Sequence, residues 1–92
     1  MKSKTLEKAT AIQILLFLQS NKEKGVLATQ LIDGVDGGPH TIYSAVRLLL
    51  GEVLIQEEWK INPRRRVFTL TEKGEKIAEK LAEIEEILVK EG

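Results

Sequence analysis

Residues 39–50 read PHTIYSAVRLLL and residues 64–74 read RRRVFTLTEKG, and these two stretches decide the fold. In the first, Ile42, Ala45, Val46 and Leu49 recur at i, i+3, i+4 and i+7, which is one face of a helix. Pro39 follows the turn signal Asp36-Gly37-Gly38 and stands at the first helical position, where its missing N–H costs nothing. The opposite face carries His40, Thr41, Tyr43, Ser44 and Arg47, and no Asp or Glu occurs from Pro39 to Leu50. Gly51 is expected to end this helix. In the second stretch, residues 66–70 (RVFTL) alternate and are rich in β-branched and aromatic side chains, as a strand requires. Residues 53–60 (VLIQEEWK) read as its partner, with Ile55 and Trp59 on one face. The intervening INPRR (61–65) holds an Asn-Pro turn signal. The two strands make a hairpin with an arginine-rich tip.

The elements on either side follow from the same periodicities. Upstream, a largely buried helix is expected from about Lys4 to Ser20, with Ala11, Ile14, Leu15 and Leu18 on its inner face. Asn21 to Gly25 is a polar stop with a glycine exit. Val26-Leu27 suits a short extended stretch. Ala28–Gly34 suits a short helix with Leu27, Leu31 and Ile32 inward. Downstream, Thr71 caps a helix that places Glu72 and Glu75 in its positive first turn. That helix reaches about Lys90, roughly 30 Å at 1.5 Å per residue. Leu70, Gly74, Ile77, Leu81, Ile84 and Leu88 are spaced as a heptad seam along it. The fold class is therefore mainly α with a small β-hairpin (α+β). Residues 1–70 form the body, and residues 71–92 form a C-terminal dimerisation helix belonging to the same structural unit.

Composition narrows the function. The 92 residues carry 14 Lys+Arg and 14 Asp+Glu, a formal net charge of zero, which argues against coating nucleic acid by bulk charge. The balance is uneven: residues 1–38 sum to +1, residues 39–66 to +2 and residues 71–92 to −3. All four arginines lie between positions 47 and 66. Cysteine is absent, so neither a disulfide framework nor a thiolate metal site is expected. One histidine and no nucleophile motif give no basis for an enzyme, a metal or a cofactor. His40 reads as a surface or cap residue. The longest apolar runs, such as Ile14 to Leu18, are too short to span a bilayer. Glu7 and the lack of a small-residue cleavage site make a poor signal peptide, so a soluble cytoplasmic protein is expected.

Helix, short strand, helix, turn, helix, hairpin and long helix is the order of a winged helix-turn-helix domain. TIYSAVRLLL (41–50), followed by Gly51 and Val53-Leu54-Ile55, resembles the recognition helix and following strand of PadR-type regulators. RRRVFTLTEKG (64–74), with Leu70-Thr71-x-x-Gly74, is similar to the wing exit of the PadR and MarR families. The likeness covers about residues 10 to 90. The sequence departs from the pattern at the tight Gly51-Glu52-Val53 junction and in showing no added effector domain. The resemblance implies a homodimeric transcriptional regulator.

Elementary physics points the same way. A helix of this size fits the major groove of B-DNA. His40, Thr41, Tyr43, Ser44 and Arg47 are its candidate DNA contacts. Lys60, Arg64, Arg65 and Arg66 are candidates on the wing (61–66). Adjacent strand residues point oppositely, so the three arginines do not all address one phosphate. A charge run is ordinarily a solvated loop; its place on a hairpin after a helix-turn-helix pattern is what turns this one toward DNA. Trp59 is expected to fill space between hairpin and helices. Ile77, Leu81, Ile84 and Leu88 are the candidate dimerisation residues, because an uncovered stripe would exceed a normal monomer patch. The partners expected are thus double-stranded DNA and a second copy of the chain, with half-sites about one helical turn apart. A winged-helix protein-interaction module is the alternative, motivated by zero net charge and the acidic C-terminal helix. A repressor responding to a small apolar ligand is a third reading, with no ligand named by the sequence.

Overall fold

The computed structural model describes residues 9–61 and 64–91. Its elements are α1 (Ala9–Ser20), β1 (Val26–Leu27), α2 (Ala28–Gly34), α3 (Pro39–Gly51), β2 (Ile55–Lys60), β3 (Arg65–Leu70) and α4 (Glu72–Glu91). The expected start of the first helix near Lys4 and the Asn62-Pro63 turn lie outside the described residues. The stripes expected on α1 (Ala11, Ile14, Leu15, Leu18) and α3 (Ile42, Ala45, Val46, Leu49) are buried throughout. They meet Leu31 of α2, Val26 of β1, Leu54 and Ile55 at the start of β2, Phe68 of β3 and Ala78 of α4 in one apolar core. Ile32 is only partly buried and packs at the edge of this core.

The sheet is antiparallel throughout, in the order β1-β3-β2. Register sets the two faces of the wing. Glu57 pairs with Phe68, Trp59 with Arg66 and Lys60 with Arg65, while Leu27 of β1 pairs with Val67. Since side chains alternate, Ile55, Glu57, Trp59, Arg66, Phe68 and Leu70 share the inner face. Gln56, Glu58, Lys60, Arg65, Val67 and Thr69 share the outer one.

The junction from α3 to β2 differs from the expected one. Gly51 is still helical, and the chain leaves the helix two residues later through Val53 at φ 58°. Leu54 N–H donates to the Leu49 carbonyl at 3.0 Å and Val53 N–H to that of Leu50 at 3.1 Å. These are the two bonds of a Schellman ending, with Val53 in the left-handed position that glycine normally fills. The strand accordingly begins at Ile55 rather than Val53. A left-handed β-branched residue costs roughly 1–2 kcal/mol. Val53 is 61% exposed, so little burial offsets that cost. Val53→Asn is therefore expected to raise stability by about 1 kcal/mol, measured by urea denaturation.

At the head of α4, the Thr71 hydroxyl accepts the Gly74 N–H at 3.0 Å, which is the cap expected there, and donates to the Val53 carbonyl at 2.6 Å. Thr71 N–H adds a bond to the Leu54 carbonyl at 3.1 Å. One residue thus fastens the last helix to the end of α3, and so fixes the direction of both.

Candidate nucleic-acid interface

α3 presents His40, Thr41, Tyr43 and Arg47 to solvent and keeps Ser44 half-buried. Its inner stripe is anchored in the core, which holds the outward face in one orientation. Asp36 N–H donates to the Gln13 side chain at 3.2 Å, tying the turn before α3 back to α1. The α3 N-terminus begins at Pro39 behind Gly38, with no acidic residue in the first turn. Its unpaired N–H groups and helix dipole favour an anion.

The wing divides its cations between two faces. Arg66 points inward. Its guanidinium forms an ion pair and hydrogen bond with Glu57 and lies over the buried Phe68 ring, 4.8 Å from its centroid. It also borders a hollow of about 150 Å³ between α3 and the wing, shared with Tyr43, Val46, Arg47 and Leu50. The sequence offers Arg66, like Arg64 and Arg65, as a candidate DNA contact, without saying which face of the hairpin it takes. The structure commits its charge to Glu57 and places it as a spacer between wing and α3. Arg64 lies over the Trp59 ring at 4.8 Å to the centroid, a cation–π contact. Trp59 is 54% exposed, so it does not fill the expected space beneath the hairpin. Ile55 and Phe68 close the core before Trp59 is reached. Arg65 and Lys60 are exposed on the outer face, where Lys60 meets Glu58 at 3.8 Å. Among the described residues, no ion pair engages Arg47, Arg64 or Arg65.

The seam on α4 splits in two. Gly74 and Ala78 are buried, and Ile77 and Leu81 pack partly against the core. Beyond Leu81 the helix outruns the body. Ile84, Ile87, Leu88 and Val89 are 54, 55, 68 and 75% exposed. Ile84, Ile87 and Leu88 lie side by side at i, i+3 and i+4. Among the described residues, no group of three or more His, Asp or Glu side chains is placed to hold a metal ion. No helix there is long and apolar enough to cross a membrane. Glu57 is the residue of this region that the sequence did not single out. The signal for it was the cross-strand arithmetic that sets a carboxylate beside an arginine on one face.

No family model matches the chain, and no curated protein matches it in sequence. Solved structures do match in fold. ZitR of Lactococcus lactis, solved as a C30AH42A mutant in apo form, superposes with a TM-score of 0.81 at 21% identity, over 90% of this chain and 61% of that one. The transcriptional regulator homologue protein from Pyrococcus horikoshii gives 0.78 at 22% identity, over 98% of this chain and 89% of that one. MepR, a transcription regulator of the Staphylococcus aureus multidrug efflux pump MepA, gives 0.76 at 21% identity, over 98% and 72%. This chain spans about three-fifths of the ZitR length. Four helices, the last of them long, and a three-stranded antiparallel sheet give the chain the winged helix-turn-helix fold of these proteins.

Proposed function

We propose that the chain binds duplex DNA as a homodimer and regulates transcription, with α3 in the major groove and the wing on the backbone. The observation that carries this reading is the pairing of an acid-free exposed helix face bearing Arg47 with a wing whose Arg64 and Arg65 have no carboxylate partner among the described residues. The fold it shares with transcription regulators supports it. Arg47 is the base-reading candidate, since an arginine in the groove pairs with the acceptor edge of guanine. Thr41, Ser44, Tyr43 and His40 offer donors to phosphate or base edges around it. Two copies joined through α4 carry two such heads, with the acidic terminal helices away from DNA. A neutral chain thereby acquires a locally basic reading surface.

Selecting bound sequences from a random duplex pool, then titrating the winner against salt, tests the assignment. Arg47→Ala is expected to lose about 1–3 kcal/mol of discrimination at one base pair. The Arg64/Arg65/Arg66→Ala triple is expected to lower the log–log salt slope by about 1.8 per protomer, two phosphate contacts at roughly 0.9 each. Arg66→Ala alone is expected to leave the slope unchanged, because its charge is already met by Glu57. No duplex binding at low salt, with a protein partner bound instead, would favour the interaction-module reading suggested by the acidic α4.

A further inference from the structure

The outer face of the wing groups Arg65 and Lys60 with a cation from outside the wing. Lys24, Lys60 and Arg65 surround a hollow of about 290 Å³, lined also by Gly25, Leu27, Gln30 and Val67. A phosphate needs several times the roughly 30 Å³ share of one water, and the hollow has that room. Leu27 and Val67 make its floor. At its rim, Gln30 accepts the Leu27 N–H through its carbonyl oxygen at 2.8 Å, which leaves its amide N–H groups as donors. Every polar side chain lining this hollow therefore offers positive charge or a donor.

That grouping opposes the chain's own stability. Lys60 and Arg65 are direct cross-strand partners, and like charges set opposite each other destabilise a ladder. Glu58 offers only an exposed contact to Lys60 at 3.8 Å, a geometry worth little in water. The third cation arrives by a local device. Gly25 turns at φ +74°, and a Cβ there would stand 2.6 Å from Val67 Cγ1. The absent side chain lets the loop lie against β3 and brings Lys24 to the rim of the same hollow as Arg65. A protein with zero net charge has carboxylates enough to neutralise this spot, yet it gathers cations there.

We propose that Lys24 joins the wing cations Lys60 and Arg65 in one phosphate seat, which extends the wing's grip on the backbone of duplex DNA beyond the stretch addressed by α3. The proposal rests on the DNA-binding reading above. The seat lies on the face of the hairpin turned away from α3, where it would meet a duplex that extends past the wing. Lys24, outside both the helix-turn-helix and the wing, becomes a DNA contact. The seat then lengthens the protected DNA and adds affinity without adding base selectivity.

Fluorescence anisotropy on two mixed-sequence duplexes tests this. One spans roughly two helical turns, about 20 base pairs, and the other about twice that. On the long duplex Lys24→Ala is expected to lower the salt slope by about 0.9 per protomer, and Lys24→Ala/Lys60→Ala by about twice that. On the short duplex Lys24→Ala is expected to change nothing. Both lysines are exposed, so Lys24→Ala should melt with the wild type, and the double variant, freed of the Lys60–Arg65 repulsion, at or slightly above it. An unchanged slope on the long duplex, with wild-type binding intact, overturns the seat and leaves the α3 reading standing. A wild type that binds neither duplex at low salt overturns the DNA reading itself, and the seat with it.

Discussion

Gly74→Ala is expected to destabilise this protein by about 2 kcal/mol net, although it replaces the poorest common helix former by the best. Helix propensity alone predicts a gain of about 1 kcal/mol. The opposite sign follows from what lies against Gly74. A Cβ there would sit 1.8 Å from the Leu54 carbonyl oxygen and 2.8 Å from its carbon. These are backbone atoms of the Schellman ending, with no rotamer to yield. The helix must therefore back away, and Thr71 moves with it. Its bonds to the Val53 and Leu54 carbonyls, at 2.6 and 3.1 Å, are lost or stretched. Overpacking of this kind reaches about 3 kcal/mol, so the net loss stands after propensity is returned. For a domain of this size it lowers the melting temperature by roughly 8–16 °C, read by circular dichroism. A melting temperature equal to or above wild type would mean that α4 is not seated on Leu54. Since Thr71 and Gly74 also fix how α4 leaves the body, a destabilised junction should weaken DNA binding without any change at α3 or the wing.

Much of this arrangement was legible in the sequence because its causes are local or periodic. The stripes on α1 and α3 are helix arithmetic. The cap at Thr71 is a residue-type preference at a boundary. The hairpin follows from the alternation of its two strands. Four features were not legible. The Gly51-Glu52-Val53 junction offers an obvious glycine stop, but the carbonyls of Leu49 and Leu50 are satisfied two residues further on, which forces Val53 left-handed. Alternation shows that Arg64 and Arg66 oppose Arg65, yet it does not say which face meets α3. Contact with Glu57 and Phe68 decides that, and it removes Arg66 from the set of free cations. Heptad spacing reads as one continuous seam from Leu70 to Leu88, because spacing carries no information on where the body ends. The body ends near Leu81, and the seam divides into a half that packs at home and a half that does not. The outer-face hollow was invisible for a further reason. Lys24 and Arg65 are far apart in sequence and come to line one hollow only through the β1–β3 pairing.

The outer half of that seam gives the second large prediction. Ile84→Glu/Leu88→Glu is expected to convert a homodimer to a monomer of 10.3 kDa, measured by light scattering at micromolar concentration. Ile84, Ile87, Leu88 and Val89 are all more than half exposed on one protomer. Full burial of an Ile or Leu is worth about 1.5–3 kcal/mol, and a twofold interface counts each residue twice. Placing two carboxylates in that contact, again doubled, removes the gain and adds unpaired buried charge. DNA affinity should fall by roughly 10²–10⁴, the loss expected when two linked reading heads become one. The added negative charge is a second route to weaker binding, and Ile84→Ser/Leu88→Ser separates the two. If dimerisation is the cause, the serine variant also loses affinity while the salt slope per protomer stays unchanged. Melting supplies an independent readout, because dissociation makes a dimer's melting temperature rise with concentration. Wild type should show that rise and both variants should not. A wild type that is monomeric and whose melting temperature ignores concentration would assign the exposed half of α4 to a different partner, and would leave one winged helix to bind DNA alone.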